Sequence, residues 1–217
     1  MVVAWLALAA FVPLTFVAFS ALGARRGALT ALLAGWLLLP WYDNVLHVPI
    51  LSGKRLFVPA VVFGVSLLVD GRRWRRLRPG WLDLPVLLWC ASQAAASLTN
   101  GLGAYDAYQA TQEAFLVWGV PYLLGRAYLG DPAGVRDYAV GLVVAALAYT
   151  PLALWEIRMS PQLHRAVYGF STIVNFGQAM RFGGYRPNVF LSHGLMLGLF
   201  MATSTLVAWW LWRTGAV

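Results

Sequence analysis

Seven apolar runs, separated by short loops rich in arginine, constrain what this chain can fold into more than any other feature. They cover approximately 2–23, 27–42, 56–70, 82–98, 111–125, 138–157 and 188–212. Each comes near the length that crosses the hydrocarbon of a bilayer as an α-helix, the second and fifth only with their polar flanks. Helices apolar on every face have no stable place in water and are at home in lipid. Composition agrees, because 60% of the residues are hydrophobic and only 11% charged, whereas a soluble domain carries about a quarter charged residues. Eleven Trp and nine Tyr suit aromatic belts at the two membrane interfaces. The expected fold is all-α, a polytopic transmembrane helix bundle of about seven helices, with residues 1–217 as a single transmembrane helical domain. Pro13, Pro85, Pro121 and Pro151 fall inside the spans, where neighbouring helices can satisfy the freed carbonyls. The run from Val2 to Gly23 lacks a charged n-region and exceeds a signal's apolar core, so it reads as a retained helix.

Arginines in alternate loops orient the bundle. Arg25, Arg26, Arg72, Arg73, Arg75, Arg76, Arg78, Arg126, Arg136 and Arg213 fall on one side; Lys54, Arg55, Arg158, Arg165, Arg181 and Arg186 fall on the other. The positive-inside rule puts Gly71–Gly80 in the cytoplasm and the segment around 158–187 outside, with the N-terminus also outside. The expected location is a bacterial inner membrane, crossed several times, and the first partner is the lipid bilayer itself. The formal charge of +8 belongs to topology and anionic headgroups rather than to nucleic acid, since no basic face or reading motif accompanies it.

Reactive chemistry of the familiar soluble kinds is missing. Cys90 stands alone inside an apolar run, which excludes an internal disulfide and a cysteine cluster. His47, His164 and His193 lack metal-ligand spacing, so neither a metal nor another cofactor is expected. There is no nucleophile elbow, P-loop, zinc-protease motif or dinucleotide fingerprint.

Polar residues concentrate in three outward segments: Asp43–Arg55, Thr99–Glu113 with Asp106, and Glu156 to about Asn188. The third holds Glu156, Arg158, His164, Arg165, Arg181 and Arg186 close to the bilayer, yet is apolar around Val167–Phe170 and Ile173–Val174. Part of it is therefore expected to lie in the interface as an amphipathic helix. Gly183 and Gly184 permit a tight turn or a close backbone approach to a ligand. Pro187 suits the first position of the next helix. Arg181 and Arg186 around a double glycine at a helix entrance would hold a diphosphate, because guanidinium forks and helix N-terminal amides both favour anions. Gly184, Asn188, His164, Glu156, Arg158, His193 and Asp106 are candidate lining; the catalytic residue is unknown. Each has a plainer reading. Arginines snorkel to headgroups, Glu156 and Arg158 can form an interfacial ion pair, and His193, one turn into the last helix, can be packing glue.

The stretch Arg181-Phe-Gly-Gly-Tyr-Arg-Pro-Asn188 resembles the bacterial O-antigen ligase and O-antigen polymerase superfamily, with Arg181, Gly184, Pro187 and Asn188 at the places of its Arg, Gly and Pro-Asn pair. Asn100–Asp106, Trp118–Arg126, Met159–His164 and Val189–Gly194 are similar to ligase-like proteins of exopolysaccharide clusters. The resemblance implies a membrane glycosyltransferase of polysaccharide biosynthesis. Such proteins move a glycan from an undecaprenyl-diphosphate carrier to an acceptor at the outer face of the inner membrane, without nucleotide sugar or metal. Outward arginines would engage the diphosphate, and other polysaccharide-assembly membrane proteins would be partners. Relatives run to roughly twice this length with about ten to twelve helices and carry a histidine-bearing loop in their second half. This chain therefore reads as the N-terminal half of such an enzyme, catalytic only when completed. Two other readings stand beside it: a transporter or flippase component for a lipid-linked or anionic solute, for which the paired broken helices and repeat symmetry are not visible, and a non-catalytic membrane subunit.

Overall fold

The computed structural model describes residues 2–41, 53–173, 176–181 and 183–215, except for the side chains of Gln178 and Arg181. His47 and Asp43 lie outside the described residues. The chain is 81% helical. Its helices are α1 (Val2–Leu38), α2 (Lys54–Val69), α3 (Gly71–Arg76), α4 (Leu84–Thr99), α5 (Ala104–Ala114), α6 (Val120–Tyr128), α7 (Pro132–Met159), α8 (Leu163–Tyr168) and α9 (Gly194–Arg213). A two-rung antiparallel ladder pairs β1 (Met180–Arg181) with β2 (Gly184–Tyr185). Among the described residues three helices, α1, α7 and α9, are long and apolar enough to cross a membrane.

α1 is two antiparallel arms rather than one rod. Gly23 is non-helical (φ 77°, ψ 160°), a conformation that suits glycine, and the chain folds back there. A Cβ on Gly27 would sit 2.6 Å from the Cα of Phe19, and one on Gly35 would sit 2.7 Å from the ring of Phe11. Residues so far apart in sequence meet only in a helical hairpin. The expected runs 2–23 and 27–42 are these two arms, and Arg25 and Arg26 sit at their turn.

The remaining rods alternate in direction. α4 runs back against α5, and α5 continues through a π-helical turn, Phe115–Gly119, into α6. Pro121 explains that turn: it has no N–H, and its ring crowds the carbonyl of Val117, so the helix widens locally. The helix therefore begins at Ala104, inside the segment expected to be a polar outward loop. α7 starts ahead of the expected run 138–157, at a local start signal. Asp131 accepts from the Gly134 amide at 2.6 Å as N-cap, and Pro132 follows at N1. At the far end α9 begins at Gly194, not at Pro187, because residues 188–193 are held in a bonded loop described below.

Charged contacts sort onto two ends. At one, Arg25 pairs with Asp131, Arg26 with Asp137 (3.2 Å), Arg73 with Asp70 (3.0 Å) and Arg126 with Asp83 (2.6 Å). Arg73 also donates to the Ala127 carbonyl at 2.8 Å and lies over the Tyr128 ring. At the other end lie the α1 C-terminus, Lys54, Arg55 paired with Glu113, and the segment from Glu156 to His193. Arg25, Arg26, Arg73 and Arg126, all assigned from the sequence to the arginine-rich side, make their ion pairs at the first end. One core cluster joins both arms of α1 to α2 and α6 around Phe11, Phe19, Val58 and Val62. A second joins Ala4, Leu37, Tyr149 and Leu197 to the loop residues Val189–Leu191.

Candidate functional site

The site is built from a helix end that must be closed without water. A helix leaves its last carbonyls unpaired, and in apolar surroundings each unpaired carbonyl is costly. The second arm of α1 ends on three such groups, and three side chains from distant elements meet them. Tyr149 of α7 donates to the Leu37 carbonyl at 2.9 Å, Tyr168 of α8 to that of Leu38 at 2.5 Å, and Lys54 at the start of α2 to that of Leu39 at 2.8 Å. Lys54 is only 1% exposed. Its Nζ also donates to the Phe190 carbonyl at 2.7 Å and lies 5.6 Å from the centre of the Trp41 ring. The partial negative charge at a helix C-terminus suits a buried cation there.

Glu156, equally buried, closes the loop ahead of α9. One carboxylate oxygen accepts from the Leu163 amide at 3.0 Å; the other accepts from the amides of Asn188 at 2.9 Å and Val189 at 2.7 Å. The Phe190 amide donates to the Tyr149 hydroxyl at 3.1 Å. Ser160 (φ 93°) and Val189 (φ 53°) flank these contacts in left-handed conformations uncommon for their residue types. Such backbone persists where surrounding bonds over-determine it, and the charge-assisted bonds of Glu156 do so here.

His164 bridges the same end. Its Nδ1 bonds the Phe170 carbonyl at 2.8 Å, and its Nε2 faces the Trp41 amide at 3.0 Å. A backbone N–H can only donate, so Nε2 accepts, and the ring is the neutral tautomer with its proton on Nδ1. Burial is the main cause that holds its pKa below the ordinary histidine value, with the charge of Lys54 adding to it and the Phe170 bond opposing.

The candidate residues thus divide by position. Glu156 and His164 bind backbone, and Asn188 is buried with its side-chain amide donating to Thr172 at 3.2 Å. Glu156 and Arg158 do not pair: two residues apart on a helix they point different ways, and Arg158 is exposed. His193 is the N-cap of α9, its Nδ1 accepting from the Met196 amide at 3.2 Å, rather than a residue inside the helix. Gly184 lies exposed in β2, facing Arg181 across the ladder, with Gly183 (φ 79°) in the turn between them. This segment holds one short helix, α8, which buries His164 and Tyr168 and exposes Arg165 and Val167. Asp106 is exposed in the first turn of α5, which packs on α4, away from this cluster's own contacts.

Arg186 is half-buried and has no hydrogen-bond or ion-pair partner for its guanidinium among the described residues. Its side chain crosses the first residue of α9. A Cβ on Gly194 would stand 2.7 Å from its Nε and 2.6 Å from its Cγ. The guanidinium therefore lies beside the first residue of α9, at a helix end whose leading amides favour anions. Sequence reasoning passed over Lys54, Tyr149, Tyr168 and Gly194 as contributors. A lone lysine ahead of an apolar run was the one visible signal. Among the described residues no group of His, Cys, Asp or Glu could hold a metal ion.

Comparison with known protein families, with curated proteins and with solved structures found no match to this chain.

Proposed function

We propose that this chain is a multi-pass membrane protein of glycan transfer, crossing the inner membrane about seven times and holding the diphosphate of an undecaprenyl-linked glycan at its outer face. The observation that carries the reading is Arg186: a cation without a partner among the described residues, laid over the first residue of α9. Guanidinium and helix amides together suit a phosphoryl oxygen better than either alone. The resemblance of Arg181–Asn188 to O-antigen ligases and polymerases supplies the substrate class. It also nominates Arg181 as the second cation, on the strand next to Gly184.

In this reading Glu156, His164 and Lys54 perform no chemistry. They fix the backbone that carries the arginines, so the cations meet the diphosphate without reorganisation. Fixed positive charge stabilises a departing diphosphate as the sugar–oxygen bond breaks, and needs no metal to do so.

The test is glycan assembly in cells whose only copy carries Arg181→Lys, Arg181→Ala, Arg186→Lys or Arg186→Ala, with membrane levels of the protein matched. Loss of a charged contact in a partly desolvated site should slow transfer roughly thirtyfold to nearly a thousandfold. Lysine should rescue little, because it lacks the fork. Wild-type assembly by all four variants rejects the reading. Cysteine labelling supplies the orientation: Gln162→Cys should react from outside and Arg75→Cys only from the cytoplasm.

A further inference from the structure

A long groove runs between the second arm of α1 and α7, with a volume of about 1180 Å³. Its walls are aliphatic and small, among them Leu33, Ala34, Gly141 and Ala145, and its mouth at the arginine-rich end is formed by Arg25, Arg26, Arg136 and Asp137. From Arg136 to Leu152 the α7 wall extends about 24 Å, most of the roughly 30 Å of bilayer hydrocarbon. The opposite end closes on Leu38 and Tyr149, whose hydroxyl is already engaged with the Leu37 carbonyl. One end of the groove is therefore cationic and the rest apolar.

The charge at the mouth is not balanced from within. Asp131 pairs with Arg25, and Asp137 with Arg26. The other two carboxylates of this end among the described residues, Asp70 and Asp83, are taken by Arg73 and Arg126. Arg136 is exposed and has no partner among the described residues. Among the described residues of this end, a second copy of the chain would bring no carboxylate that is not already paired. The matching occupant has a single anionic head and a long aliphatic remainder.

We infer that the groove between the second α1 arm and α7 binds an anionic phospholipid, its phosphate at Arg136 and Arg26 and an acyl chain along Gly141 and Ala145. Basic pockets between membrane helices on the cytoplasmic side suit such headgroups. The inference does not depend on the glycan-transfer reading, because it uses neither Arg181 nor Arg186.

The full chain, purified in detergent, is mixed with equal amounts of phosphatidylglycerol and phosphatidylcholine of the same acyl chains, and bound lipid is counted by native mass spectrometry. The wild type should prefer phosphatidylglycerol about fivefold, the worth of one cation beside an anionic headgroup. Arg136→Gln, on an exposed position, should bring the two lipids to parity while leaving the melting temperature unchanged. Gly141→Leu, which fills the groove against Leu33, should reduce both. Equal binding of the two lipids by the wild type overturns the inference, as does a preference untouched by Arg136→Gln. A lipid-free dimer would assign the groove to a second copy and overturn it as well.

Discussion

Lys54 donates from Nζ to the carbonyl of Phe190, 2.7 Å away and 136 residues further along the chain. The same nitrogen donates to the carbonyl of Leu39, just past the end of α1. One side chain thus joins the end of α1, the start of α2 and the loop ahead of α9. Lys54→Met keeps the length and the packing but leaves both buried carbonyls without a donor. The expected cost is about 2–4 kcal/mol, read as a lowered unfolding temperature in detergent. An unchanged transition would mean that the lysine is not the fastener described.

Glu156→Gln tests the carboxylate that holds the Leu163, Asn188 and Val189 amides. Glutamine offers one acceptor oxygen, and its NH₂ would point at amides that can only donate. About 2–3 kcal/mol should be lost, with faster hydrogen exchange at the amides of Asn188 and Val189. Retained exchange protection would remove Glu156 from this role.

Gly27 touches the backbone of the opposite arm of α1, and Gly64 of α2 faces open space. Gly27→Ala should therefore destabilise the hairpin strongly, because a Cβ 2.6 Å from the Cα of Phe19 cannot be relieved by rotating a side chain. Gly64→Ala should be neutral or slightly stabilising, as expected of alanine in a helix. Unfolding of the two variants side by side decides it, and equal stabilities would contradict the hairpin contact.

His164 gives the end of the bundle that holds Lys54 and Glu156 a pH dependence of known sign. Its folded pKa lies below the ordinary 6.5, chiefly through burial, so the unfolded chain binds the proton more readily. Its contribution is fully present above the unfolded pKa and is lost as pH falls from about 6.5 through the lower folded pKa. Unfolding followed from pH 8 to pH 5 should show this loss in the wild type and not in His164→Phe. Equal pH slopes in the two proteins would contradict the assignment.

Much of the helical architecture could be read from the sequence, and the reasons are local. Apolar runs are properties of neighbouring residues; Asp131-Pro132 at the start of α7 and Gly23 at the turn of α1 are local signals too, but a reading by apolar runs alone passed over them. The polar residues of the third outward segment were less legible. Glu156 and His164 looked like site lining because a polar group beside a membrane is costly unless used. Their partners are backbone groups: the amides of 188 and 189 lie more than thirty residues from Glu156, and nothing in the spacing names them. Pro187 looked like a helix start for the same reason, since the bonds that hold 188–193 out of the helix come from elements far away. Gly194 gives no local sign that an arginine must cross it.

The central claim is that Arg186 and the α9 entrance receive a diphosphate. The most direct measurement is the affinity of the purified chain in detergent for farnesyl diphosphate and for farnesyl monophosphate, with wild type, Arg186→Lys and Arg186→Ala compared. The account predicts tighter binding of the diphosphate by the wild type. It also predicts a loss of about tenfold to a hundredfold in Arg186→Ala, the worth of one charged hydrogen bond, and little recovery in Arg186→Lys. Equal affinity of all three proteins for the diphosphate, or no distinction between the two ligands by the wild type, would contradict it.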